Sequence, residues 1–152
     1  MNNNELQQLV ETISLENFNM KFNHDAYFNK RLRTTGGRYL LASHNIEINP
    51  QQYITYGRDA LINIIKHELC HYHLHLLGKG YQHRDEDFKR LSKKVEAPRY
   101  CKALESYEQR ANYIYKCTSC KKEYLRIKKV NISKMRCGKC RGELKLKKLL
   151  KK

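Results

Sequence analysis

The sequence predicts an α+β protein, in which helices pack on a small antiparallel sheet and a small metal-stapled β ribbon follows. Three observations carry this. Residues 58–77 repeat apolar side chains at helical spacing, residues 31–50 hold short extended stretches around glycine and proline, and four C-terminal cysteines fall as two Cys-x2-Cys pairs. A chain of 152 residues can bury one real core and one appendage, but not two full-sized domains. The expected division is a core over 1–98, a connector over 99–112 and a ribbon over 113–152.

Asn3 or Asn4 is expected to cap an opening helix whose Leu6, Leu9, Val10 and Ile13 recur at helical spacing, ending near Leu15. His24 lies in a mixed stretch and reads as an ordinary surface or core histidine. Short strands are expected on either side of a Gly36-Gly37 turn, with a third over Ile46 to Ile48 that Pro50 stops. The central helix runs from Arg58 to Leu77, with Leu61, Ile64, Ile65, Leu69 and Leu76 at helical spacing and Gly78 and Gly80 as its stop. A further helix is expected over about Asp85 to Val95, closed by Pro98.

Inside the central helix stands His67-Glu68-Leu69-Cys70-His71. Positions i and i+4 share a helical face, so both imidazoles can address one ion, while Glu68 flanks them without ligating. Zinc held this way supplies a water acidic near neutral pH, and Glu68 is placed as the general base that takes its proton. A catalytic site needs a third protein ligand. His73 points away from His71 on the helical wheel, whereas His83, beyond the Gly78-Lys79-Gly80 turn, can fold back; His83 is the preferred third ligand and His75 the alternative.

Cys117-x2-Cys120 and Cys137-x2-Cys140 can close a tetrahedral shell with no vacant position, so a second zinc there is expected to be structural. Residues 113–146 hold too little apolar surface to fold without it. Cys70 and Cys101 are expected to be reduced, partly buried thiols. The net charge of +16 is uneven: residues 1–98 carry 13 Lys and Arg against 11 Asp and Glu, and residues 99–152 carry 18 against 4. That asymmetry points to an anionic partner, nucleic acid first, with Tyr113, Tyr115 and Tyr124 as candidates to stack on unpaired bases. No apolar run is long enough to span a membrane and the first twenty residues lack a signal-peptide pattern, so a soluble cytoplasmic protein is expected.

The HExxH motif, the later His83 with Phe88 beyond it, the upstream Thr34-Thr35-Gly36-Gly37-Arg38-Tyr39 and Ile46-Glu47-Ile48-Asn49-Pro50, and the terminal cysteine pairs together resemble the bacterial SprT-like family. Its protease core is similar to Spartan, the DNA-dependent metalloprotease of crosslink repair. The resemblance covers nearly the whole chain. It implies a zincin-like core, His67, His71 and His83 as ligands of a catalytic zinc, Glu68 as base, and peptide-bond cleavage in extended or DNA-associated protein. It also gives the strand around His44 to Asn49 a role as an edge that pairs with substrate backbone. Two departures stand out: the aromatic after the third histidine comes five residues on rather than four, and the chain has no Trp. The rival expectation is a non-enzymatic nucleic-acid-binding factor with zinc as a structural staple; Glu68, which a staple does not need, discriminates the two.

Overall fold

The computed structural model describes residues 1–102, 104 and 110–150, and the chain divides into two units, Met1–Leu104 and Glu105–Lys152. Part of the expected connector, and Lys151 and Lys152, lie outside the described residues.

The first unit begins with α1 (Asn3–Phe18), capped one residue earlier than expected. The Asn2 side chain accepts from the Glu5 N–H at 2.9 Å and the Glu5 carboxylate accepts from the Asn2 N–H at 3.1 Å, which satisfies two orphan donors. Leu6, Val10 and Ile13 are buried on one stripe, and Asn19, in the left-handed region at φ 54°, ends the helix a turn beyond Leu15.

The sheet has the order β1 (Ala26–Phe28), β3 (Ile46–Ile48), β2 (Gly37–Tyr39). β2 pairs antiparallel with β3 as anticipated, but the remaining strand is β1, which runs parallel to β3 and lies upstream of the Arg31 to Thr35 stretch. Gly36 and Gly37 therefore do not turn a hairpin. They permit close approach: a Cβ on Gly37 would stand 2.9 Å from Ile64 Cγ2 and 3.0 Å from the Glu47 carbonyl oxygen, so only glycine lets β2 lie this near the central helix.

Asn49 caps the short helix α2 (Pro50–Tyr56), its side chain accepting from the Gln51 N–H at 3.0 Å. Pro50, expected to stop the ladder, also starts this helix, because its fixed φ suits the first turn. Gly57 at φ 89° separates α2 from α3 (Arg58–Leu76), the central helix, and α4 (Glu86–Lys94) follows Asp85. The core is made where Leu61, Ile65, Leu69 and Tyr72 of α3 meet Leu6 and Val10 of α1 and Ile46 and Ile48 of β3, all fully buried. Each such aliphatic side chain contributes roughly 1.5–3 kcal/mol by leaving water.

The second unit is an antiparallel sheet ordered β5 (Glu123–Arg126), β4 (Tyr113–Cys117), β6 (Leu144–Leu149). Among its described residues the buried ones are Ala111, Tyr115, Cys117 and Cys137, too few for a hydrophobic core of ordinary size. No helix among the described residues is long and apolar enough to cross a membrane.

Candidate metal centre

Helix α3 places His67 and Glu68 among its buried residues and the half-buried His71 one turn on, and the loop after it returns His83 to the same point. The three Nε2 atoms stand 2.9 Å (His67 and His83), 3.2 Å (His67 and His71) and 3.1 Å (His71 and His83) apart. Two nitrogens on a tetrahedral zinc, each about 2.0–2.1 Å from it, would be about 3.3 Å apart. The spacing is close to that of a ligand set.

The hydrogen bonds at the far side of two rings decide what the near side can do. Nδ1 of His67 faces the Pro98 carbonyl at 3.1 Å and Nδ1 of His71 faces the Tyr81 carbonyl at 2.5 Å. A carbonyl only accepts, so each Nδ1 carries the proton, and in the neutral ring Nε2 is left as a lone pair. Two lone pairs therefore face each other at 3.2 Å with the third imidazole beside them, and a donor set of this kind fits a divalent metal. Burial, then the neighbouring His71 and other nearby positive groups including Arg99, pushes His67 down to about 4 despite the opposing Pro98 carbonyl. His71 and His83 are lowered too, chiefly by burial. The rings are held neutral, the form that ligates.

Phe88 closes the back of this group. Its ring stacks on His71 with centroids 4.5 Å apart and lies 5.1 Å from His83 and 5.4 Å from His67. The five-residue interval from His83 to Phe88 thus still delivers an aromatic to the histidines, because α4 starts at Glu86 and carries Phe88 on its buried face.

Glu68 is 6% exposed, with a carboxylate oxygen 4.0 Å from His67 Nε2. Burial pushes its carboxyl up to about 8, partly offset by a hydrogen bond from the Tyr39 backbone N–H. A carboxyl poised there can hold or release a proton near neutrality.

The other histidines have separate work. His73 Nε2 lies 2.7 Å from the Ser14 hydroxyl within the core, as its angular position on the helix required. His75 Nδ1 lies 2.6 Å from the Tyr39 hydroxyl, away from the three-histidine group, and His24 Nδ1 lies 2.6 Å from the Tyr72 hydroxyl.

The centre opens on a cleft of about 990 Å³. Its floor is the α3 face carrying Asn63, His67 and His71, one wall is residues 34–39, and the other is Pro98 to Lys102. The strand expected to offer a substrate-pairing edge, His44 to Asn49, is instead the middle of the sheet with all three β3 residues buried. Among the described residues the edge strand on the cleft is β2, with the Tyr39 N–H given to Glu68. The Pro98–Lys102 wall and the Tyr39 N–H were missed in the sequence, since neither follows a periodicity; Pro98 and the Arg99-Tyr100 pair after it were the sole local signal. Cys70 is fully buried, while Cys101 is exposed on the cleft wall.

In the second unit Cys117, Cys120, Cys137 and Cys140 bring their sulfurs together, with Cys117 and Cys140 at 3.4 Å and Cys120 and Cys137 at 3.6 Å. Two matching knuckles hold them. The N–H of Lys121 bonds the Cys117 carbonyl at 3.1 Å and that of Arg141 bonds the Cys137 carbonyl at 2.8 Å, with both residues in the left-handed region. Cys117 Sγ also accepts from the Ser119 and Cys120 N–H groups at 3.4 Å each, which favours thiolate. Four sulfurs in this arrangement suit a closed structural zinc site.

The tyrosines of this unit are less free than the sequence suggested. Tyr115 is 2% exposed and its hydroxyl accepts from the Val130 N–H at 2.8 Å. Tyr124 has Lys122 and Arg126 over its ring at 5.0 and 5.1 Å, and its hydroxyl meets Cys137 Sγ at 3.0 Å. Tyr115 is closed to a base and Tyr124 shares its ring with two cations; Lys121, Lys122, Lys128, Lys129 and Lys145 are exposed.

Comparison with known proteins agrees with both units. Residues 6–111 match the SprT-like family and residues 111–148 match the SprT-like zinc ribbon domain. Proteins designated "Protein SprT-like" from Staphylococcus aureus strains JH9, Newman and JH1 are each 64% identical over 151 residues, covering 99% of this chain and 100% of the relative. No solved structure matches.

Proposed function

The chain belongs to the SprT-like family, with the zinc ribbon that accompanies it, and from that premise we propose that it is a zinc-dependent endopeptidase acting on extended protein, including protein held on nucleic acid. One observation carries the reading: three imidazole nitrogens able to hold a cation converge beside a buried carboxyl, at the floor of an open cleft. A zinc ion bound by His67, His71 and His83 would supply Lewis-acid polarisation and a water acidic near neutral pH.

This chain's own groups supply the rest. Glu68 accepts a proton from the attacking water and returns it to the leaving amine, and the Tyr39 N–H keeps its carboxylate oriented. Among the described residues β2 is the edge strand on the cleft, and the outward backbone groups other than the Tyr39 N–H can hydrogen-bond an extended substrate backbone, which gives affinity with little sequence preference. The exposed lysines of the ribbon contact phosphates, so the ribbon would bring the core to nucleic acid. We place this activity in the reducing cytoplasm, where four thiols stay available to a metal. The rival reading, a non-enzymatic nucleic-acid-binding factor, gives no use to a carboxyl buried beside the imidazoles at a cost in desolvation.

The test is incubation of the zinc-loaded full chain with a free and a DNA-bound protein substrate, with and without chelator, alongside Glu68→Gln. Cleavage by the parent, its loss on chelation, and about 100-fold or greater loss in the zinc-bound variant are expected. Equal cleavage by parent and variant would overturn the mechanism; no cleavage by the zinc-replete parent would favour the rival.

A further inference from the structure

We infer that the cavity of the ribbon formed by Arg110, Arg126 and residues 127–130 is a seat for a backbone phosphate of nucleic acid. The inference rests on the nucleic-acid half of the proposed function and localises it. One built concavity, rather than the ribbon's lysines at large, takes the phosphodiester.

The cavity measures about 370 Å³ and is lined by Arg110, Arg126, Ile127, Lys128, Lys129 and Val130. Four of these six residues are cations and none is an acid. Among the described residues none of the four enters an ion pair, whereas Lys147 of the same unit is held by Glu123. Like charges gathered around one concavity raise the potential inside it and draw an anion.

The sheet holds the segment that carries them. Arg126 is the last residue of β5 and pairs with Tyr113 of β4. Its guanidinium is half-buried over the Tyr124 ring, 5.1 Å from the centroid, and one of its N–H groups donates to the Leu125 carbonyl at 2.7 Å. Beyond it the chain is pinned at two points. Asn112 Nδ2 donates to the Ile127 carbonyl at 3.0 Å, and the Val130 N–H donates to the buried Tyr115 hydroxyl at 2.8 Å. Asn112 is itself tied on both sides, its N–H donating to the Arg126 carbonyl at 3.0 Å and its carbonyl accepting from the Leu150 N–H at 2.9 Å. Lys128 and Lys129 therefore project from a backbone fixed before and after them, which lowers the entropy lost in gathering their charges on a ligand. Arg110 stands two residues before Asn112 and completes the rim. A planar guanidinium matches two phosphate oxygens at once, and lysines add point charges. With no aromatic ring in its lining, the cavity reads the phosphate and not the base.

The experiment follows the anisotropy of a fluorescein-labelled oligothymidylate added to the zinc-loaded full chain, with zinc content matched among variants. Lys128→Gln with Lys129→Gln removes two exposed cations of the cavity and leaves its pins intact. Lys134→Gln with Lys145→Gln removes the same charge from exposed positions outside it. The cavity pair should bind about tenfold more weakly, with the log–log salt slope reduced by about 1.4, and the control pair should lose less than about twofold. Arg126→Lys, which keeps the charge and loses the fork, should weaken binding about threefold. Equal losses in the two pairs would overturn the cavity and leave nucleic-acid binding standing as a property of diffuse charge. No binding by the parent at low salt would sink the nucleic-acid reading itself. Inorganic phosphate at constant ionic strength should leave the strand bound at millimolar concentration; displacement would make the cavity a site for the free anion and overturn the assignment.

Discussion

The hydroxyl of Tyr39 lies 2.6 Å from Nδ1 of His75, a histidine of α3 one turn beyond the candidate metal ligand His71. The same hydroxyl lies 2.7 Å from His44 Nδ1, so Tyr39 ties β2 to α3 and to the loop before β3, while its backbone N–H holds Glu68.

Tyr39→Phe removes both bonds and leaves two half-buried imidazole nitrogens without that partner, which should cost about 1–3 kcal/mol. Differential scanning calorimetry should show the corresponding fall in melting temperature. Zinc stoichiometry should stay at two in Tyr39→Phe and His75→Ala and drop to one in His83→Ala. Zinc loss in His75→Ala would return His75 to the ligand set.

Glu68 gives the metal-free protein a definite pH dependence. Its folded value of about 8 lies above the ordinary 4.5, so the folded state binds the proton more tightly and its stabilising contribution, complete below about 4.5, is lost as pH rises through 8. Glu68→Gln lacks that loss, and His67, unchanged in both proteins, cancels in the comparison. Urea melts of the metal-free proteins should therefore diverge in favour of the variant between pH 5 and 8, with a limiting slope of about 1.4 kcal/mol per pH unit. Parallel curves would show that Glu68 is solvated.

Gly142 packs against the ribbon's metal site. A Cβ there would lie 2.8 Å from Ser119 Oγ and 2.9 Å from Cys117 Sγ, so Gly142→Ala must displace a sulfur of the zinc shell. Mass spectrometry should then report one zinc, and hydrogen exchange should accelerate across 111–148 with the first unit unaffected. Retention of both zincs would mean the sulfurs tolerate the shift.

Nucleic-acid binding by the ribbon should depend on phosphates rather than on stacked bases, since Tyr115 is buried and Tyr124 is flanked by Lys122 and Arg126. Gel shifts of the full chain should show similar affinity for single strands and duplexes, with a log–log salt slope that falls by about 0.7–0.9 for each lysine removed from a phosphate contact. A large preference for single strands, lost in Tyr113→Ala, would restore stacking as the mode.

Local chemistry was enough for part of this protein. The i, i+4 spacing of His67 and His71 and the two Cys-x2-Cys intervals fix which side chains share a face or a knuckle, because backbone geometry over three or four residues leaves little choice. The apolar stripe of α3 and the glycines beyond it were legible for the same reason. Contacts between distant segments were not. Gly36-Gly37 reads locally as a turn and serves instead as the place where β2 lies against Ile64; β1 pairs in parallel with a strand eighteen or more residues on; and His75 is claimed by Tyr39. The Pro98 carbonyl that sets the His67 tautomer, and the wall that carries Arg99 behind it, exist only once α4 has packed and returned the chain across the cleft. Spacing determines which donors can meet, and tertiary packing decides their protonation, their neighbours and what they face.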